Sequence, residues 1–320
     1  MFLITFQLII GVALLYYGAE WMVNGGVGIA KKFKVSPLII GLTLVAFATS
    51  APELTVSLDA ALRGAGDIAI GNVVGSNTCN IGLILGLAAL ITPVAVNKQM
   101  LKVDAPVMLI SLIALAVAGY YCSGFGRLVG AIFFIAFVIY TVLNIRASRK
   151  AEAAIIPMAE AEAENTVKHN MWWCLLLVVA GIVALVVGAG QMVSGAVAIG
   201  RKCGMSEAVI ALTIVSIGTS LPELATSVVA AIKKQSDIAV GNAIGSNIFN
   251  TLVIMGLVPL IQPIKSVGVN LADWATMIAA GLLVTLFMRT GYKISRIEGG
   301  ILLALYVGYL VYLVSRTVTP

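Results

Sequence analysis

The sequence predicts an all-α integral membrane protein: ten transmembrane helices in two inverted-topology repeats of five, the second and third helices of each half kinked or broken. Three observations lead there. The 320 residues include only 20 basic and 14 acidic side chains, at a mean hydropathy of +1.06, far less charge than a water-soluble domain carries. The apolar residues gather into ten runs near the roughly 20 residues a helix needs to cross the hydrocarbon layer. The two halves of the chain also repeat one another.

The runs fall at approximately 4–24, 36–62, 68–92, 104–122, 125–145, 171–192, 206–232, 238–262, 270–289 and 297–315. The first has the length of a secretory signal, but nothing basic precedes it in MFLITFQLII and 171–192 is its counterpart, so it is expected to remain as a span. Between the fifth and sixth runs, RASRKAEAAIIPMAEAEAENTVKH holds eight of the charges and is the one candidate linker. The expected organisation is a first repeat at 1–145, a linker at 146–170 and a second repeat at 171–320. Odd-numbered connections hold 14 Lys and Arg, among them Lys31, Lys98, Arg146 and Lys233; even-numbered connections and the tail hold six. Basic residues stay in the cytoplasm, so the expectation is a multi-pass plasma or inner-membrane protein with both termini outside and the linker cytoplasmic. The same clusters explain the net charge of +6 without nucleic acid. Cys79, Cys122, Cys174 and Cys203 lack metal-ligand spacing and His169 is the only histidine, so a zinc or haem site has little to be built from.

Shifting the chain by 170 residues lays 41–87 over 211–257 with 23 of 47 positions identical and no gap. Five spans per half is an odd number, so the second copy enters the membrane from the opposite face, and paired motifs come to one depth. Within these copies Glu53 and Glu223 sit midway along their spans, each behind Thr-Ser-x-Pro. An ionisable side chain there costs roughly 2.5–3.5 kcal/mol or more and marks function by default; neither half offers an intramembrane cation as a structural partner. Pro52 and Pro222 cannot donate to the carbonyls of Ala48 and Gly218 and open the preceding turn, which is tolerated at membrane depth only where backbone is buried or lines a cavity. Thr49, Ser50, Thr219 and Ser220 place hydroxyls in that turn.

The next span of each half opens GNVVGSNTCN and GNAIGSNIFN. Asn72, Ser76 and Asn80 share a helical face, as do Asn242, Ser246 and Asn250. Asn72 and Asn242, near the span ends, read as interhelical hydrogen-bonding groups; Asn80 and Asn250 read as facing the cavity. Gly75 and Gly245 belong to small-residue stripes that permit close helix approach. Carboxylates, amides, hydroxyls and freed carbonyls make a hard-cation shell suited to Ca²⁺. The same oxygens could hold Na⁺, and a site taking either ion between two halves that can rock is an antiporter's. Asp59 has Arg63 four residues on and Val229 as its counterpart, which reads as an ion pair or an outer vestibule; Glu20 reads as an interfacial pair near Lys31 to Lys34.

The duplicated TS-x-PE and GN-xx-GSN signatures, with ten spans, resemble the alpha repeats of the cation/Ca²⁺ exchanger superfamily, in its prokaryotic Na⁺/Ca²⁺ exchanger branch. The resemblance implies a transporter and not an enzyme, exchanging Ca²⁺ for Na⁺ by alternating access, with those ions as substrates and the bilayer as surroundings. No cofactor, nucleic acid or obligatory protein partner is implied. On matching positions Glu53 and Glu223 would be shared ligands, Thr49 and Thr219 would act largely through backbone carbonyls, and Ser50, Ser220, Ser76, Ser246 and the carbonyls of Ala46 and Ser216 would complete Na⁺ sites. Spans one and six would be the sliding pair. Some members carry Asp in one copy where this chain has Asn80 and Asn250, so two carboxylates stand here without a third. Proton-coupled relatives carry Glu at Gly75 and Gly245. An H⁺-coupled exchanger and a cation channel are the alternatives; the GAGD at Gly64 to Asp67, which imitates an intramembrane aspartyl protease motif, reads KQSD in the second copy and lacks a partner aspartate.

Overall fold

A computed structural model describes residues 2–33, 35–121, 124–159, 170–203, 216–265 and 268–318. Cys122, residues 160–169 of the predicted linker with His169, and the first part of the predicted seventh span lie outside the described residues. The described chain is almost wholly helical. We label its helices α1 (Phe2–Phe33), α2 (Pro37–Thr49), α3 (Ala51–Leu62), α4 (Gly66–Ile91), α5 (Met100–Tyr121), α6 (Arg127–Ala159), α7 (Met171–Lys202), α8 (Ser216–Thr219), α9 (Leu221–Ile232), α10 (Ser236–Ile261), α11 (Leu271–Arg289) and α12 (Arg296–Val318). Among the described residues eight helices are long and apolar enough to span a membrane, and nine if α2 and α3, bent by 45° against one another, form one span. The protein is a multi-pass membrane protein.

Two features refine the sequence expectation. The third span of each half, α4 and α10, is not broken: each stays one helix and widens into π-helical turns at Asn80–Leu85 and Asn250–Ile254. No proline stands at either widening, and one residue added to a turn keeps the backbone bonded. The fifth candidate span, Arg127–Ala147, lies close to the predicted 125–145, but its helix runs on: α6 continues to Ala159, through charged residues assigned to the linker.

Glycines at heptad spacing bring α1 and α7 together. A Cβ on Gly18 would lie 2.9 Å from the Leu185 nitrogen, one on Gly188 2.9 Å from the Leu14 Cβ, and one on Gly25 2.8 Å from the Cys174 carbonyl. Gly11 meets Met192 while Gly25 meets Cys174, so the two helices run antiparallel. Small residues let backbones pack closely where lipid supplies no hydrophobic drive. Away from this seam Ile9, Val12, Val179 and Val183 are exposed, as lipid-facing side chains should be.

Elsewhere, paired contacts recur. The two-residue strands β1 (Val94–Ala95), β2 (Gly124–Phe125), β3 (Ile264–Lys265) and β4 (Lys293–Ile294) form antiparallel pairs β1–β4 and β2–β3, linking connections of opposite halves. Tyr140 donates to Asp104 Oδ1 at 2.8 Å, and Tyr309 to Asp273 Oδ1 at 3.0 Å. Asp67, in the first turn of α4, accepts from the Gly268 amide at 2.9 Å, which makes it a loop anchor. Asp59 pairs with Arg63 at 2.7 Å on an exposed turn. Glu20 forms an ion pair with Lys233, just beyond α9, at 2.7 Å; its position on α1 faces α9.

Candidate ion-binding site

Both glutamates are positioned by a helix break. Ser50 and Ser220 leave helical geometry at φ/ψ of −86°/7° and −88°/7°, and Pro52 and Pro222 sit in the first turn of the helices that follow, where a missing N–H costs nothing. Glu53 and Glu223 therefore occupy the first turns of α3 and α9, where the helix dipole favours a negative group. Both are fully buried.

The breaks lock the halves together. The Ser50 hydroxyl donates to Glu223 Oε1 at 2.9 Å, and the Ser220 hydroxyl donates to Glu53 Oε1 at 3.2 Å. Each carboxylate is thus held through one oxygen by the serine that precedes the other glutamate. The second oxygen of each, Oε2, is buried without a hydrogen-bond partner. Among the described residues no cation pairs with either glutamate.

The remaining predicted residues sort into two groups. Ser76 lies 3.4 Å from the Ser220 hydroxyl, and Asn80, Asn250 and Ser246 are buried, with Asn80 Oδ1, both polar atoms of the Asn250 amide and the Ser246 hydroxyl unpartnered. The oxygens among these atoms offer free acceptors, like the Oε2 atoms, whereas Asn250 Nδ2 is an unpaired donor. Asn72 and Asn242 instead brace the glutamate backbone: each donates to the carbonyl of its own half's glutamate at 3.2 Å and to Ser57 or Ser227 at 2.9 Å. They act as the interhelical groups the sequence suggested. The Thr49 hydroxyl is already engaged, 3.1 Å from both the Val45 carbonyl and Asn242 Oδ1. Ala46 is buried at the start of the last turns of α2; Ser216 and Thr219 bound α8, with Thr219 half-buried. Gly245 lets α10 press on α2, because a Cβ there would stand 2.7 Å from the Leu42 Cα and 3.0 Å from the Ala46 Cβ; Gly75 is half-buried on α4. No group of three or more His, Cys, Asp or Glu gathers among the described residues. The centre is built of oxygen donors with two carboxylates, which suits a hard cation.

The profile of sodium/calcium exchanger proteins matches residues 3–146 and 173–315. The chain belongs to this family. It is 38% identical to the putative antiporter CaxA of Alkalimonas amylolytica, over 98% of this chain and 100% of that one, and 34% identical to the sodium/calcium exchanger MaX1 of Methanosarcina acetivorans, over 96% and 97%. The sodium-calcium exchanger NCX_Mj, soaked without Na⁺ and Ca²⁺, superposes with a TM-score of 0.84 at 34% identity, covering 98% of this chain and 99% of that one. The protein is a prokaryotic member of the cation/Ca²⁺ exchanger superfamily, a transporter of the cation/Ca²⁺ exchange class and not an enzyme.

Sequence reading of this exchanger passed over several buried polar residues. Ser57 and Ser227, and Asn77 and Asn247, are identical at the 170-residue offset, but they fall off the four-residue stripe that singled out Asn72, Ser76 and Asn80. Asp104 and Tyr140 match Asp273 and Tyr309 at an offset of 169, so a fixed shift of 170 hides them.

Proposed function

We propose that this exchanger moves Ca²⁺ against Na⁺ by alternating access at a site near the membrane midplane formed by Glu53 and Glu223. The observation that carries the reading is the reciprocal bonding of Ser50 to Glu223 and Ser220 to Glu53, which leaves one carboxylate oxygen from each half buried and without a hydrogen-bond partner. Two negative charges match one Ca²⁺, and Asn80, Asn250 and the carbonyls opened by Pro52 and Pro222 extend the oxygen shell toward the 6–8 ligands Ca²⁺ takes. Na⁺ would use the same glutamates with Ser50, Ser220, Ser76, Ser246 and the carbonyls of Ala46 and Ser216. The engaged Thr49 hydroxyl favours its carbonyl as the contributing atom, with Thr219 its counterpart.

In this reading the ten spans form two inverted repeats, 1–145 and 171–320, joined by the 146–170 linker on the cytoplasmic side, with both termini outside. The paired contacts at offsets of 170 and 169 support it, as do the antiparallel α1 and α7. Their glycine seam gives these two helices a smooth track on which to slide past the site. The NCX_Mj structures are described in terms of extracellular ion exchange and induced binding-site occlusion, and the likeness extends that mechanism here. Close packing at Gly245 leaves no room for a glutamate side chain, which favours Na⁺ over H⁺ as the coupling ion.

The test is ⁴⁵Ca²⁺ uptake into proteoliposomes loaded with Na⁺, with K⁺-loaded and pH-jumped vesicles alongside. Uptake is expected only with an outward Na⁺ gradient. Uptake driven by a proton gradient alone would replace Na⁺ with H⁺ in the mechanism, and single-channel currents would replace exchange with conduction.

A further inference from the structure

The four asparagines of α4 and α10 that follow the GS motifs, Asn77, Asn80, Asn247 and Asn250, are all fully buried. They make one interhelical amide bond: Asn80 Nδ2 donates to Asn247 Oδ1 at 3.1 Å. Asn247 in turn directs its Nδ2 at the Met108 sulfur, 3.6 Å away on α5. Asn80 Oδ1 is left buried and unpartnered.

An amide's oxygen and nitrogen ends are nearly the same size, so packing alone does not choose between them, whereas a cation accepts only the oxygen. Direction here comes from Met108. A thioether sulfur can accept but has no proton to give, so Asn247 turns its NH₂ to the sulfur and its oxygen to Asn80, which turns the Asn80 NH₂ away and its oxygen outward. Flipping both amides would set the Asn247 oxygen against the sulfur, acceptor facing acceptor. We infer that Asn247, anchored on Met108, is a positioning residue that holds Asn80 with its carbonyl oxygen presented for the transported Ca²⁺. This inference rests on the proposed site, in which Asn80 is a ligand.

The second half shows the same parts with the bond open. Asn77 donates to the Thr251 hydroxyl at 3.1 Å and faces the Met277 sulfur at 3.9 Å. Asn77 Oδ1 and Asn250 Nδ2, the acceptor and donor of the equivalent bond, are both buried and unpaired. Thr251 has Ile81 as its counterpart, so only this half has a hydroxyl competing for the asparagine. The orienting relay is therefore made toward Asn80 and not toward Asn250.

The experiment is the Ca²⁺ dependence of Na⁺-driven uptake in proteoliposomes, with each variant checked for a monodisperse, cooperatively melting protein. Asn247→Leu removes the acceptor, and the KM for Ca²⁺ is expected to rise about tenfold while the maximal rate stays within about twofold. Asn247→Asp keeps an oxygen for the Asn80 NH₂ and is expected to return KM to the wild-type value or below. Asn77→Leu removes an equally buried asparagine that holds no neighbouring amide, and should change KM less than about threefold. Should Asn247→Leu fail to fold, Asn247→Ser, too short to reach Asn80, carries the same expectation. A wild-type KM in Asn247→Leu, an equal rise in Asn77→Leu, or no recovery in Asn247→Asp would overturn the inference. Glu53→Gln in the same series separates the two levels: if it transports normally the site itself is wrong, whereas an inactive Glu53→Gln beside an unaffected Asn247→Leu removes the positioning role alone.

Discussion

Replacing Glu223 by glutamine tests the site with the least structural disturbance. Gln keeps the length of the side chain and an oxygen for the Ser50 hydroxyl, which lies 2.9 Å from Glu223 Oε1. What changes is the other end: Oε2, buried and without a partner, becomes an NH₂ that presents hydrogens to the ion. Removing one partner of a fully buried charge pair costs about 3–5 kcal/mol, and Glu223 is fully buried with no side-chain cation to compensate, so the buried figure applies. Ca²⁺ affinity should fall by about 150-fold or more. At a Ca²⁺ concentration near 100 times the wild-type Kd, binding stabilises the wild-type protein by about 2.7 kcal/mol, and a 150-fold weaker site leaves about 0.3 kcal/mol. The Ca²⁺-induced rise in melting temperature should all but vanish, ⁴⁵Ca²⁺ uptake into Na⁺-loaded vesicles should be lost, and the ion-free melting temperature should not fall. A Glu223→Gln protein with uptake above about a tenth of wild type at sub-saturating Ca²⁺, or with an intact Ca²⁺-induced shift, would refute the reasoning.

Other substitutions separate the site from its surroundings. Asp59→Asn breaks an exposed pair with Arg63 worth at most about 1 kcal/mol, and uptake should be unchanged; a loss matching that of Glu223→Gln would make Asp59 part of the ion path. Gly188→Val adds bulk 2.9 Å from the Leu14 Cβ on the α1–α7 seam; turnover should fall about tenfold or more with the Ca²⁺-induced melting shift retained, and a variant that loses both would place the seam's role in folding. Glu20 and Lys233 tie α1 to the end of α9, so Glu20→Gln and Lys233→Gln should alter turnover by about two- to fivefold each, and by no more together; additive effects would mean the pair does not act as a unit.

Much of the site was legible because membrane burial makes polar residues conspicuous. Glu53 and Glu223, the prolines and the GS-Asn runs stand out of an apolar background, and the 170-residue shift pairs them. What the shift could not show was direction. Nothing in the sequence says that Ser50 reaches the glutamate of the other half, since that bond depends on how two breaks face each other. The amide orientations of Asn80 and Asn247 were equally hidden, because they depend on a sulfur at Met108 that composition counts as one more apolar residue. The four-residue face rule favoured Asn72 over Asn77, although the structure uses Asn72 for backbone bracing. The Asp104 and Asp273 pairs were missed for a simpler reason, a one-residue change in offset between the halves.

The crossed serine–glutamate bonds also bear on why the site should exchange and not conduct. A pore needs ligands that stay in place while ions pass between neighbouring sites. Here each carboxylate takes one hydrogen bond from the opposite half, so a relative movement of α2–α3 against α8–α9 that opened a path through the centre would break the Ser50–Glu223 and Ser220–Glu53 bonds together. An empty centre would then expose two carboxylates stripped of their donors, whereas an ion bridging both Oε2 atoms would hold the halves closed around it. In the proposed cycle the outer helices α1 and α7 would shift along their glycine seam, with the Glu20–Lys233 pair released or re-formed, while this centre stays intact. On that proposal access would change on either side without dismantling the site, and the movement that would open a continuous channel is the one the bonding opposes.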